Sequence, residues 1–285
     1  MLDEELREWR ILTMRYREIL GLQDNPWTAV NYKKSLVASQ TPYSDEPDLK
    51  TMQLGNKQTL ENDEHFKRWL SCSYTSVLII TAINHANSPL GSDLWLSAAL
   101  IDFAEERLTD GMSQVIFHPI QVNDHNPLHI VFGILCGILS LSQTLFKEHK
   151  QAIHDCVTEL KTPNTSLQMP YSALFKLVKN MLKGWSARNP EKTLFILVDR
   201  LDFCLDTANR GEKEALRGVL KFLLGLGEIG GLNSTGMLKV FFLAMHNVRW
   251  PMWQFDDWTV GDVHDGLVQK LGWRQGDLEF GTGPN

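Results

Sequence analysis

The residues Leu194-Phe195-Ile196-Leu197-Val198-Asp199-Arg200-Leu201-Asp202-Phe203-Cys204 concentrate the chemistry of this chain. Five apolar residues end on Asp199, and a second carboxylate, Asp202, follows three positions later. A buried strand with carboxylates at its tip can hold the water shell of a Mg²⁺ ion bound to nucleotide phosphates. Such a metal needs a phosphate grip beside it, a Gly-rich turn whose N–H groups and lysine bind the phosphate oxygens. No G-x-x-x-x-G-K-[ST] occurs upstream of Asp199, and no lysine occurs from Arg68 to Phe146. Other reactive constellations are weaker. His118, Asp124, His125 and His129 fall within twelve residues, but Pro127 lies between the i,i+4 pair His125 and His129 and should open a helix there. The two imidazoles then need not share a face, and ordinary loop histidines are the expectation. No G-x-S-x-G elbow is present for a serine nucleophile.

These residues need a scaffold, and the apolar pattern supplies one. Residues 76–82, 114–120, 193–198 and 238–245 are short apolar runs with the character of buried strands. Between them, residues 93–108, 129–146 running on through 147–160, 171–185 and 212–226 have helical character. Apolar strands alternating with helices predict an α/β fold, a parallel sheet covered by helices on both faces. Ahead of it, residues 2–20 form a helical N-terminal arm: Leu6, Trp9, Ile11, Leu12, Tyr16, Ile19 and Leu20 recur at helical spacing, and Gly21 follows as a stop. Residues 23–56, with Pro26, Pro42 and Pro47, make an extended linker. A helix over 59–70 follows, with Glu61, Asp63 and Glu64 in an acidic first turn. The organisation expected is an arm and linker over 1–58, the sheet domain over 59–250, and an aromatic-rich extension over 251–285. That extension carries Trp250, Trp253, Trp258 and Trp273, rings expected to cover the last sheet edge.

Composition narrows the function. A net charge of -6 gives no basis for a nucleic-acid surface, and the Lys/Arg-rich run such binding needs is missing. Cys72, Cys136, Cys156 and Cys204 form no C-x-x-C, which favours free thiols in a reducing compartment. The acidic start Met1-Leu2-Asp3-Glu4-Glu5 has no apolar signal core. Within 129–146 the uninterrupted apolar part stops at Ser140, short of the ~20 residues of a membrane span. Its Gly133 and Gly137 are read as points of close helix approach in a core. A cytoplasmic protein without a membrane segment is expected.

The order of these motifs resembles the NTPase domain of fungal NACHT/STAND proteins, the P-loop nucleotide-switch modules of NLR-like receptors. Phe66-Lys67-Arg68-Trp69-Leu70 stands before the strand Val77-Leu78-Ile79-Ile80-Thr81, as the family's F-x-x-W-L helix stands before its P-loop strand. The family's Walker B, hhhhD-G-L-D-E-C, is matched by Ile196-Leu197-Val198-Asp199-Arg200-Leu201-Asp202-Phe203-Cys204. A helix and a sensor strand follow, and Asn126-Pro127-Leu128 opens a long apolar helix as in the family. The resemblance spans about residues 60–250. It implies a P-loop NTPase-like sheet, Asp199 as the Mg²⁺ carboxylate, and a structural role for Cys204.

The departures imply lost chemistry. At the P-loop position Ala86-Asn87-Ser88-Pro89-Leu90-Gly91-Ser92-Asp93 keeps Gly91 but has Ser92 for the lysine and Asp93 for the Mg²⁺-binding hydroxyl. A carboxylate at a helix start caps that helix and repels phosphate. Phe203 replaces the glutamate that orients water, Arg200 replaces a small residue, and Arg249 is displaced from the sensor position. The resemblance also implies a winged-helix region and repeat array beyond the sensor strand, which this sequence does not carry, so a truncated relative or fragment is expected. The function expected is a non-catalytic pseudo-NTPase, an interaction or regulatory module with a protein partner and no cofactor. The alternative is a switch with an atypical P-loop that binds ATP or GTP with Mg²⁺ weakly, through Asp199, Asp202, Gly91, Ser92 and Asp93.

Overall fold

Along each central strand, successive side chains divide between two hydrophobic clusters. Val77 and Ile79, Leu194 and Ile196, and Leu238 and Val240 enter one; Leu78 and Ile80, Phe195 and Leu197, and Phe241 enter the other. This period of two marks strands buried on both faces. The computed structural model describes residues 7, 9–12, 14–15, 57–84, 94–120, 126–161, 170–204, 210–230, 236–247 and 268–274. In chain order the elements are α1 (Lys57–Asn62), α2 (Glu64–Ser71), β1 (Ser76–Asn84), α3 (Leu94–Thr109), β2 (Ser113–Pro119), α4 (Leu128–Leu141), α5 (Gln143–Lys161), α6 (Pro170–Arg188), β3 (Thr193–Asp199), α7 (Arg210–Gly225), β4 (Met237–Asn247) and β5 (Val268–Arg274). Short 3₁₀ turns at Leu201–Cys204 and Leu226–Gly230 follow β3 and α7. The described residues at the N-terminus are helical, and Trp9 and Leu12 pack against the larger cluster.

The sheet is parallel throughout, in the order β2-β3-β4-β1-β5. The chain leaves β1 for the far edge at β2, then walks back through β3 to β4. Right-handed crossovers place helices of the outward step on one face and those of the return on the other. The clusters agree: α3 packs with α1 and α2 on one face, and α4 to α7 fill the opposite one. An α/β fold with a parallel sheet flanked by helices is thus present as the sequence implies.

Details differ from the reading of the sequence. The helix expected over 59–70 is two helices, because the Asp63 carboxylate accepts the Phe66 N–H (2.9 Å) and caps α2. The long helix from 129 breaks at Ser142, which is extended and does double duty: its N–H donates to the Ile138 carbonyl, and its hydroxyl accepts the Leu145 N–H. β5 lies beyond residue 250, so the stretch read as an extension contributes a strand to the sheet, paired with β1. The glycines of α4 serve as expected. A Cβ at Gly133 would stand 2.1 Å from His118 Nδ1, and one at Gly137 would stand 2.6 Å from Ile116 Cγ2, so both let α4 lie close on β2. Among the described residues no helix is long and apolar enough to cross a membrane.

Candidate functional site

The connection from β1 runs toward β2, while the one from β4 runs the other way, to β5. In open parallel sheets such a reversal opens a crevice at the carboxyl ends of the two strands, where ligands bind. β3, next to β4, brings Asp199 to that same end. The candidate site is therefore built at the carboxyl ends of β1, β4 and β3.

Asp199 is fully buried. It has the parity of Phe195 and Leu197, which pack on the α3 face, and there it meets Ser97 in the first turn of α3. The Ser97 hydroxyl donates to Asp199 Oδ1 at 2.9 Å, and Ser97 is itself fully buried. A carboxylate withdrawn from water needs donors, and this hydroxyl is one. The Asp199 main-chain carbonyl accepts the Ile120 N–H (2.9 Å), which ties the ends of β2 and β3 together.

The next residue, Arg200, has φ 64°, the left-handed region that favours glycine. It turns the chain off the strand into the 3₁₀ turn, where Leu201 and Cys204 are fully buried. Cys204 is thus a core thiol, closed to a substrate. Asp202 and Phe203 lie in that turn. Gly91, Ser92, Asp93 and Arg249 lie outside the described residues. So do Asp124 and His125, while His118 sits against Gly133. Among the described residues no group of three His, Cys, Asp or Glu side chains could hold a metal ion.

Ser97 escaped the sequence analysis. Its signal was there: it is the lone polar residue in Leu94-Trp95-Leu96-Ser97-Ala98-Ala99-Leu100-Ile101. The residue before it, Leu96, is buried and apolar.

On the same face, α2 supplies an aromatic cluster. Phe66 lies 5.4 Å from both Trp69 and Phe103, and Trp69 packs edge-on to Phe195 and Phe241, each 5.9 Å away. The i,i+3 spacing of Phe66 and Trp69 puts both rings on one side of α2, against β3 and β4. Neither a known protein family nor a characterised protein shows significant sequence similarity to this chain.

Proposed function

We propose that this chain is a non-catalytic relative of the NACHT/STAND NTPases, a cytoplasmic interaction or regulatory module that works through a protein partner. The observation that carries the proposal is the Ser97–Asp199 bond. In P-loop NTPases a serine or threonine at the start of the helix after β1 and an aspartate at the tip of the Walker B strand hold Mg²⁺ between them. Here the hydroxyl and carboxylate occupy corresponding elements but are bonded directly to each other and fully buried. Leu96 precedes the hydroxyl, where the P-loop pattern has its lysine. The pair stays as a structural tie between α3 and β3, without the charge that grips phosphate. Losing an ion pair to phosphate in a desolvated site costs on the order of 2–5 kcal/mol. That loss is enough to carry micromolar binding to near-millimolar.

Two further features support the family reading. The backbone at Arg200 is left-handed, a conformation suited to the glycine that follows the Walker B aspartate in the family pattern. The strand in the sensor position, β4, is inserted between β1 and β3, so its carboxyl end lies beside both.

Calorimetry and thermal shift with ATP or GTP and Mg²⁺, on the wild type and Asp199→Ala, test the proposal. No saturable binding below millimolar nucleotide is expected. Micromolar binding abolished by Asp199→Ala would overturn it and establish the second reading, a nucleotide switch. That second reading requires the Ser97 hydroxyl to leave Asp199 Oδ1 and admit the ion between them.

A further inference from the structure

A second pair of reactive groups lies at the opposite end of the sheet. Lys239, near the start of β4, is register-paired with Phe195, four residues before Asp199, which puts it ~13 Å away along the strands. It is 1% exposed, yet its ammonium side chain enters the face shared with Phe195 and Phe241. Nζ lies 2.8 Å from Cys72 Sγ. It also donates to the carbonyls of Trp69 (2.8 Å), Cys72 (2.6 Å) and Tyr74 (3.1 Å) and to Ser76 Oγ (3.2 Å). Among the described residues no carboxylate forms an ion pair with it.

Cys72 is reachable from outside where Lys239 is not. It is half-buried between exposed Ser71 and Ser73, whereas Cys136, Cys156 and Cys204 are buried. A small oxidant therefore meets Cys72 first, with a buried amine already waiting on its sulfur.

We propose that Cys72 and Lys239 are a redox modification site, in which a peroxide converts the contact into a covalent sulfenamide cross-link. In the first step the Cys72 sulfur attacks the peroxide O–O bond; with hydrogen peroxide it becomes a sulfenic acid and one water leaves. In the second step the uncharged Lys239 amine attacks that sulfur. The S–N bond forms, the S–O bond breaks, and the departing hydroxide takes a proton from nitrogen as a second water. Thiol, amine and peroxide thus give sulfenamide and two waters, with sulfur oxidised and peroxide reduced. Burial lowers the Lys239 pKa, which favours the uncharged nucleophile, although the contact with Cys72 works against this shift. Excess thiol reverses the bond by attack on sulfur and release of the amine. The cross-link would lock the end of α2, which carries the Phe66 and Trp69 rings, onto β4.

The test treats the full chain with graded hydrogen peroxide and reads intact mass and tryptic peptides by mass spectrometry. The expected product has lost two hydrogens, resists tryptic cleavage after Lys239, joins the peptides of Cys72 and Lys239, and reverts with dithiothreitol. Cys72→Ser and Lys239→Arg should both abolish it. If Lys239→Arg does not fold, the joined peptides of the wild type and their loss in Cys72→Ser decide the matter. Oxidation of Cys72 only to sulfinic acid, or a joined pair that retains an oxygen, would overturn the sulfenamide.

Discussion

Replacing Lys239 by Met should cost this protein about 3 kcal/mol of folding stability, in the range for removing one side of a buried charged network. α2 ends at Ser71, and the last carbonyls of a helix have no partner within it. The Arg68 carbonyl is satisfied by the Cys72 N–H, but the Trp69 carbonyl is met by Lys239 Nζ, as are the Cys72 and Tyr74 carbonyls beyond it. An ammonium has three N–H donors, so at most three of its five acceptors are fully bonded at once. A hydrogen bond involving a charged group contributes about 1.5–3 kcal/mol, which for three bonds gives a gross loss well above 3. Methionine recovers part of this, because it fills a similar volume and carries no charge to desolvate. The net of about 3 kcal/mol should appear in urea unfolding at pH 7 as a lower midpoint with an unchanged slope. The pH dependence gives a second check. Burial holds the Lys239 pKa below the usual 10.5, so between the folded value and 10.5 the unfolded chain binds more protons than the folded one. Stability from this group therefore rises with pH through that window, and the gap between wild type and Lys239→Met should widen there. A loss under 1 kcal/mol would refute the capping role, and a gap that narrows as pH rises toward 10.5 would refute the lowered pKa.

Two further substitutions probe backbone and packing. At Arg200 the left-handed backbone reverses the ordinary order of residues: Arg200→Gly should be more stable than Arg200→Ala by about 1 kcal/mol in thermal unfolding, and equal stabilities would remove the strain. Gly133→Ala should lose about 1–3 kcal/mol, because its methyl would collide with the His118 ring. Adding His118→Ala should recover part of that loss, and strict additivity of the two changes in denaturant unfolding would show that they do not collide.

The layers of the fold were legible because burial on two faces leaves long apolar runs, and runs such as 193–198 have no other stable place than a covered sheet. Breaks inside helical stretches were not. Asp63 and Ser142 are compatible with a helix by composition, and only the local hydrogen bond from a capping side chain turns each into a boundary. β5 was missed for a different reason. Its sequence, Val268-Gln269-Lys270-Leu271-Gly272-Trp273-Arg274, is polar and carries a glycine, and pairing with β1 rather than its own apolar content makes it a strand.

The candidate site shows where motif spacing and geometry part. Counting from Gly91 puts Asp93 at the hydroxyl position of the P-loop pattern, and that count carries the expectation of a repelled phosphate. The side chain that meets Asp199 is Ser97, four residues later, about one turn farther along a helix. A motif count presumes that the loop keeps the family's length, and with the first glycine and the lysine both gone nothing in the sequence holds that register. Asp199, by contrast, was placed correctly at a strand tip, because the apolar run before it leaves one position where a carboxylate can end the strand. Ser97→Ala separates the two possibilities for the pair. If it is a structural tie, the loss is that of one buried hydrogen bond, about 1–3 kcal/mol in denaturant unfolding, with nucleotide response unchanged. If Ser97 and Asp199 still share an ion, the same substitution weakens Mg²⁺-dependent nucleotide binding as well. A stability loss with no change in that response supports the pseudo-NTPase, whereas loss of Mg²⁺-dependent binding contradicts it.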